Sequence, residues 1–276
     1  MILVDLNQVI LSSLHVALGG QAQVELEPFR NMVVNTLRRN NHQFRGEYGA
    51  MVLVNDSRNY WRKQYFPFYK IRRKERRAKS KQDWKQIYAC LDLILEEIED
   101  AFPYKYICVD GAEADDCIAV LCDHVKDEPI LILSGDRDFM QLHSDRIKQY
   151  DPVNKDYLFT PNAKTYLFDK ILSGDAGDDI PSVLCPQDHY ATKGKRRVLT
   201  QKRRDALQNI ASEPANEFYA NFTRNRMLID LSYTPIEIRD RIVKEYDKPF
   251  NRTRSEFQLY LRENGMIDQL QALGQF

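Results

Sequence analysis

Short apolar runs alternating with helix-periodic stretches outline the chain. Residues 2–4, 51–54, 106–109 and 130–133 are apolar runs of strand length. They carry no polar alternation, which suggests parallel strands covered on both faces. Between them the period turns helical. Glu27-Pro28 opens one helix, with Phe29, Met32, Val33, Thr36 and Leu37 on its inner face. Trp84, Ile87, Tyr88, Leu91, Ile94, Leu95 and Ile98 mark a second, and apolar residues at 114, 118, 121, 122 and 125 a third. Residues 146–150 and 156–159 can pair as a hairpin through Pro152-Val153-Asn154, and Pro161 opens a helix to about residue 172. From about residue 198 only helical patterns recur. The prediction is an α/β fold with a largely parallel central sheet at about 1–160, then a smaller all-α domain at 161–276.

Acids recur where those strands end. Asp5 follows the first, Asp56 the second, and Asp136 and Asp138 the fourth, while Glu113, Asp115 and Asp116 open the third helix. One Asp after a strand is an ordinary turn residue. Three at one edge of one sheet form an acidic rim where α/β proteins place their sites, beyond the carboxyl ends of the strands. Converging carboxylates repel and require cations or protons. Hard oxygen donors with no Cys/His pair suit Mg²⁺ or Mn²⁺ better than zinc. The stretch SGDAGDDIPSV at 173–183 adds Asp175, Asp178 and Asp179 between flexible glycines.

Formal charge is zero over 276 residues, but the charges are segregated. Residues 62–85 hold eleven Lys and Arg against two acids, and 193–204 hold seven against none, so both blocks are candidates to meet phosphate. In the first block, aromatics interleave with bases, so phosphate neutralisation and base stacking are both available. Residues 72–81 have almost no apolar anchor and should be mobile without a partner. Arg62, Tyr69, Lys70, Arg72, Arg73, Lys74, Arg76 and Arg77, with Lys193, Lys195, Arg196 and Arg197, are the candidate nucleic-acid contacts. Five cysteines without CxxC spacing point to free thiols in a reducing compartment. The apolar N-terminus lacks a basic leader and is broken by Asp5 and by Gly19-Gly20, so we read it as strand and helix. No run reaches membrane-spanning length, and the expected location is the cytoplasm, that of the host for a phage-encoded chain.

Taken together, these motifs resemble the flap endonuclease/5′-nuclease family. YWRKQYFPFYKIRR at 60–73 is similar to a signature with an aromatic-Arg pair, Tyr-Lys and then Arg, here Trp61-Arg62, Tyr69-Lys70 and Arg73. EADD at 113–116, GDRDFMQL at 135–142 and GDAGDDIPSV at 174–183 resemble the family's acidic motifs in the family's order. The resemblance implies a PIN-like sheet, a helical arch at about 72–84, and a helix–turn–helix duplex-binding element at about 165–205. It also implies a Mg²⁺-dependent 5′→3′ exonuclease and 5′-flap endonuclease that uses two ions, Mn²⁺ being an alternative. Its substrates would be duplex DNA with a 5′ flap or RNA primer, cleaved to 5′-phosphate products.

By the family pattern Asp5, Asp56, Glu113, Asp115, Asp116, Asp136, Asp138, Asp175 and Asp178 hold metal, directly or through water. Lys70 and Arg73 contact the scissile phosphate; with Asp136 and Asp138 they form the catalytic set. A single-strand DNA-binding protein and a sliding clamp are implied partners of a monomer. The clamp contact is expected away from the N-terminus, where the chain starts almost at its first strand. The chain departs from the family at Asp179, usually Asn, at Ser182, often Gly, at Asn55, usually apolar, and in lacking a Gly-Ile-Gly hairpin. Two other readings stay open: a non-catalytic nucleic-acid-binding protein with structural acids, and a PIN-type ribonuclease.

Overall fold

The computed structural model describes residues 1–18, 23–194 and 197–276. The elements in order are β1 (Ile2–Asp5), α1 (Leu6–Leu18), α2 (Leu26–Tyr48), β2 (Met51–Val54), α3 (Trp61–Tyr65), α4 (Arg73–Ala78), α5 (Trp84–Ala101), β3 (Lys105–Ile107), α6 (Ala114–His124) and β4 (Ile130–Leu133). A 3₁₀ turn (Arg137–Leu142), β5 (Ile147–Asp151) and β6 (Asp156–Leu158) follow. The remainder is helical: α7 (Ala163–Ser173), α8 (Gln201–Ala206), α9 (Tyr219–Ile229), α10 (Ile236–Asp247), α11 (Arg254–Glu263) and α12 (Ile267–Gln271), with short 3₁₀ turns.

The six strands lie in the order β3-β2-β1-β4-β5-β6. The first five are parallel, and β6 returns antiparallel as the second arm of the expected hairpin. Successive side chains of a strand point to opposite faces, which divides the apolar runs between two cores. Ile2, Val4, Leu53 and Leu131 join a core with α1, α2 and α5. Leu3, Val52, Val54 and Ile132 join one with α6 and α10. Burial on both sides is why these runs show no polar alternation. Chain direction across the sheet reverses between β1 and β4, and β2, β1 and β4 are neighbours, so their carboxyl ends share one crevice.

One local expectation differs from the structure. The third strand occupies Lys105–Ile107, because the chain turns at Gly111 (φ 85°) soon afterwards. After residue 160, α10 and α11 pack into the two sheet cores. Parts of α7 and α9 with Ile180, Val183 and Leu184 build a third core that receives Phe66 and Tyr69 from the first basic block. Residues 73–78, inside the span where the resemblance places a helical arch, form α4 without burying a single side chain. What holds α4 is charge, as described below. Among the described residues, no helix is long and apolar enough to cross a membrane.

Candidate active site

Asp5 ends β1 and is buried; its carboxylate accepts from Ser134 Oγ (2.9 Å) and the Gln8 N–H (3.4 Å). Asp56 follows β2 and accepts from the first N–H of α6, that of Ala114, at 2.8 Å, which aims it at the start of that helix. Asp136 follows β4 and accepts from the Asp138 N–H at 2.8 Å. The loop bearing both is pinned from β5: the Gln149 side-chain amide donates to the carbonyls of Ser134 (2.8 Å) and Asp136 (2.6 Å). From the other side, the loop after α7 is shaped by Gly174 at φ 68°. A Cβ there would lie 2.4 Å from the Ile180 carbonyl oxygen, so only glycine fits. Asp175 then accepts from the N–H groups of Gly177 (2.6 Å) and Asp178 (3.1 Å).

Eight of the nine expected acids, Asp5, Asp56, Glu113, Asp115, Asp136, Asp138, Asp175 and Asp178, line one cavity of about 350 Å³ together with Lys70 and Arg73. The ninth faces elsewhere. Asp116 is fully buried and saturated by Arg62 (2.8 and 2.9 Å), Thr234 Oγ1 (2.8 Å), Trp61 Nε1 (3.3 Å) and the Glu113 N–H (3.0 Å). Arg62, expected to meet nucleic acid, is 2% exposed and donates also to Glu113 (2.9 Å) and the Leu228 carbonyl (2.8 Å). It is an internal counter-ion, and reaching a phosphate would leave Asp116 charged and unpaired in the interior. Tyr69 is likewise buried, its hydroxyl oxygen 2.9 Å from carboxylate oxygens of both Glu113 and Asp178, to one of which it donates.

Charge is distributed unevenly around the cavity. Burial, then Asp56 and Asp136, push the Asp5 carboxyl up to about 8. Burial, then Asp136 and Asp5, hold Asp115 well above the usual carboxylate range, and Asp136 is raised mainly by burial. Asp178 lies low: burial opposes its charge, but Lys70 and Arg73 outweigh that. Lys70 sits at φ 56°, with its ammonium on Glu113 and 3.4 Å from Asp178. Burial disfavours that ammonium, but Asp178 and Glu113 more than compensate and raise it. Arg73 reaches Asp178 at 3.1 Å.

Asp179 explains how the basic segment is held. It is completely buried at φ 61°, and its carboxylate accepts from the Arg72 N–H (2.8 Å), Arg72 Nε (2.7 Å) and Arg76 (3.4 Å). Arg76 also caps the carbonyls of Ala176 and Gly177. The acid in place of the family's usual Asn thus docks α4 without any apolar anchor. Lys74 is exposed, and Arg77 lies 4.8 Å over the Tyr88 ring. In the second basic block, Lys193 and Arg197 line a cavity of about 670 Å³ beside Gly174, with Arg72 and Arg204. Lys195 and Arg196 lie outside the described residues.

Lys170 was not anticipated. It projects from the last turn of α7, and its ammonium meets Asp138 and, at 3.1 Å, Asp175. Nothing in the helical spacing sets it apart from a surface lysine. Gln8 was also missed; it accepts the Gly135 N–H at 3.1 Å and braces the loop after β4.

An acid-lined crevice at the switch point of a parallel sheet, flanked by basic side chains, defines a nuclease-type α/β domain. Residues 1–169 match the family described as 5′-3′ exonuclease, N-terminal resolvase-like domain. The chain belongs to that family and is a nuclease acting on phosphodiester bonds. Residues 162–276 match the family described as T4 RNase H, C terminal. Among its relatives is the ribonuclease H of Enterobacteria phage T4, 27% identical over 99% of this chain and 95% of that one. Another is the flap endonuclease Xni of a Shewanella species, 32% identical over 77% of each. The fold is shared with the bacteriophage T5 flap endonuclease solved as a pseudo-enzyme-product complex with DNA and metal ions. That structure is 17% identical, has a TM-score of 0.61, and the match covers 88% of this chain and 96% of the neighbour.

Proposed function

We propose that this nuclease is a divalent-metal-dependent 5′→3′ exonuclease and 5′-flap endonuclease. It would act on RNA–DNA hybrid and duplex DNA, removing lagging-strand RNA primers and leaving 5′-phosphate ends. The observation that carries the reading is the gathering of eight carboxylates in one cavity beside Lys70 and Arg73. Only oxygen donors line the acidic wall, which suits Mg²⁺ or Mn²⁺. Among the described residues, no three acids, His or Cys stand close enough to clasp an ion as they are. Burial, and then neighbouring acids, raise Asp5, Asp115 and Asp136, and a cation would offset both and draw them together.

Asp5, Asp56, Asp115 and Asp136 would hold one ion, and Asp138, Asp175 and Asp178 a second, with Glu113 between the two groups. When bound, such ions supply a water of lowered pKa and stabilise charge on the phosphate oxygens. Lys70 and Arg73 would face the scissile phosphate and offset its developing charge, Tyr69 and Glu113 fixing the lysine. Docking of α4 by Asp178 and Asp179 would place Arg72, Lys74 and Arg76 along the incoming 5′ strand. The cavity lined by Lys193 and Arg197 would track the duplex backbone.

The test is cleavage of a 5′-labelled RNA–DNA hybrid, a 5′ flap and plain single-stranded RNA, each with Mg²⁺ or EDTA. Mg²⁺-dependent cutting of hybrid and flap is expected. Binding without cutting would favour a non-catalytic protein, and preference for plain RNA a different ribonuclease.

A further inference from the structure

The oxygens of the two acidic groups are committed very differently. On one side, no carboxylate is paired with a cation among the described residues: the Asp115 side chain has no partner, Asp136 accepts from the Asp138 N–H, Asp5 from Ser134 Oγ and the Gln8 N–H, and Asp56 from Asn7 Nδ2 and the Ala114 N–H, all neutral donors. On the other side, cations hold most of the oxygens. Asp178 gives Oδ1 to Arg73 and Oδ2 to Tyr69 and Lys70. Asp175 gives Oδ1 to two backbone N–H groups and Oδ2 to Lys170, and Asp138 gives Oδ1 to Lys170. The Lys170 side chain is 16% exposed, so this is no loose surface pairing. Lysine in the last turn of a helix ordinarily answers the helix dipole. Here the ammonium also bridges two acids of separate loops.

We propose that Lys170 is a tethered cation occupying the Asp138–Asp175 side of the cleft, and that a divalent ion binds there only by displacing it. This rests on the metal-dependent reading above and adds an order of filling. The Asp5–Asp56–Asp115–Asp136 side takes its ion first and tightly. The Lys170 side takes its ion weakly, because an ion entering beside an ammonium is repelled and must strip two carboxylate oxygens from it. Lys170 is therefore a positioning residue that sets how many ions the resting protein holds.

The experiment is Mn²⁺ binding to the full chain without nucleic acid, followed by calorimetry and by the paramagnetic resonance of free Mn²⁺. The proposal expects one tight site and a second at least about tenfold weaker. Lys170→Met should tighten the second site about tenfold or more and change the first much less. Lys170→Arg should keep it weak, and melting in saturating Mn²⁺ should show both variants folded. Identical two-site isotherms for the wild type and folded Lys170→Met would overturn the proposal while leaving metal dependence intact. Absence of any Mn²⁺ binding would overturn the metal-dependent reading and this inference with it. Unfolding of Lys170→Met even in saturating Mn²⁺, with Lys170→Arg intact, would show a structural salt bridge and also overturn it.

Discussion

The two sides of the acidic cleft carry similar residues and opposite electrostatics. Asp5, Asp115 and Asp136 stand at strand ends and a helix start, hold no ion pair among the described residues, and are pushed toward protonation mainly by burial. Asp175 and Asp178 stand on a loop of the helical region, and Lys70, Arg73 and Lys170 meet them there. The difference teaches that a count of acids does not measure demand for a cation. What matters is whether the fold supplies counter-charge to each group. The unsupplied side is where an external ion gains most, and the supplied side is where basic residues and an ion compete.

The comparison is broken most directly at Asp136. Asp136→Asn should lower Mg²⁺-dependent cleavage by about 10³-fold or more, since it removes charge from the uncompensated side. Affinity for the flap substrate in Ca²⁺ or EDTA should change little; a fully active variant would defeat the proposed reading. Next comes the acid that faces inward. Arg62→Met should cost about 3–5 kcal/mol of stability in urea unfolding, because Asp116 loses its buried partner. A loss of cleavage with stability intact would mean that Arg62 acts on substrate after all.

A third contrast pits the sides against each other. Asp115→Asn should weaken the tightest Mn²⁺ site about tenfold or more, whereas Asp175→Asn should leave it nearly unchanged. Equal effects would erase the asymmetry. The fourth test is pH. The Asp5 carboxyl is raised from 3.8 to about 8 in the folded protein, so the fold binds its proton more tightly than the unfolded chain does. That contribution is complete below about pH 3.8 and is lost as pH rises toward 8. The melting temperature of EDTA-treated protein should therefore fall across that window, and Mg²⁺ should restore most of it at the alkaline end. The smallest effect is expected at Asp179. Because Arg72 and Arg76 are partly exposed, Asp179→Asn should cost only about 1 kcal/mol. Its readout is faster tryptic cleavage within α4.

Much of this was legible in the amino-acid order. Four parallel strands, the hairpin, the acids at strand ends and the basic block follow from local patterns, because burial on both faces and turn chemistry leave marks within a few residues. Those marks also carry the family. What could not be read concerns partners far apart in sequence. Asp115 and Asp116 are neighbours in one motif, yet successive residues of a helix point about 100° apart. One therefore faces the cavity and the other faces Arg62 and Thr234, the latter 118 residues downstream. Lys170 looks like any lysine near a helix end until α7 is laid against the turn that carries Asp138. Residue type and local period determined which groups are available. Only the packing of distant elements decided which charges are answered from within, since electrostatic partnership depends on distance in space and not along the chain.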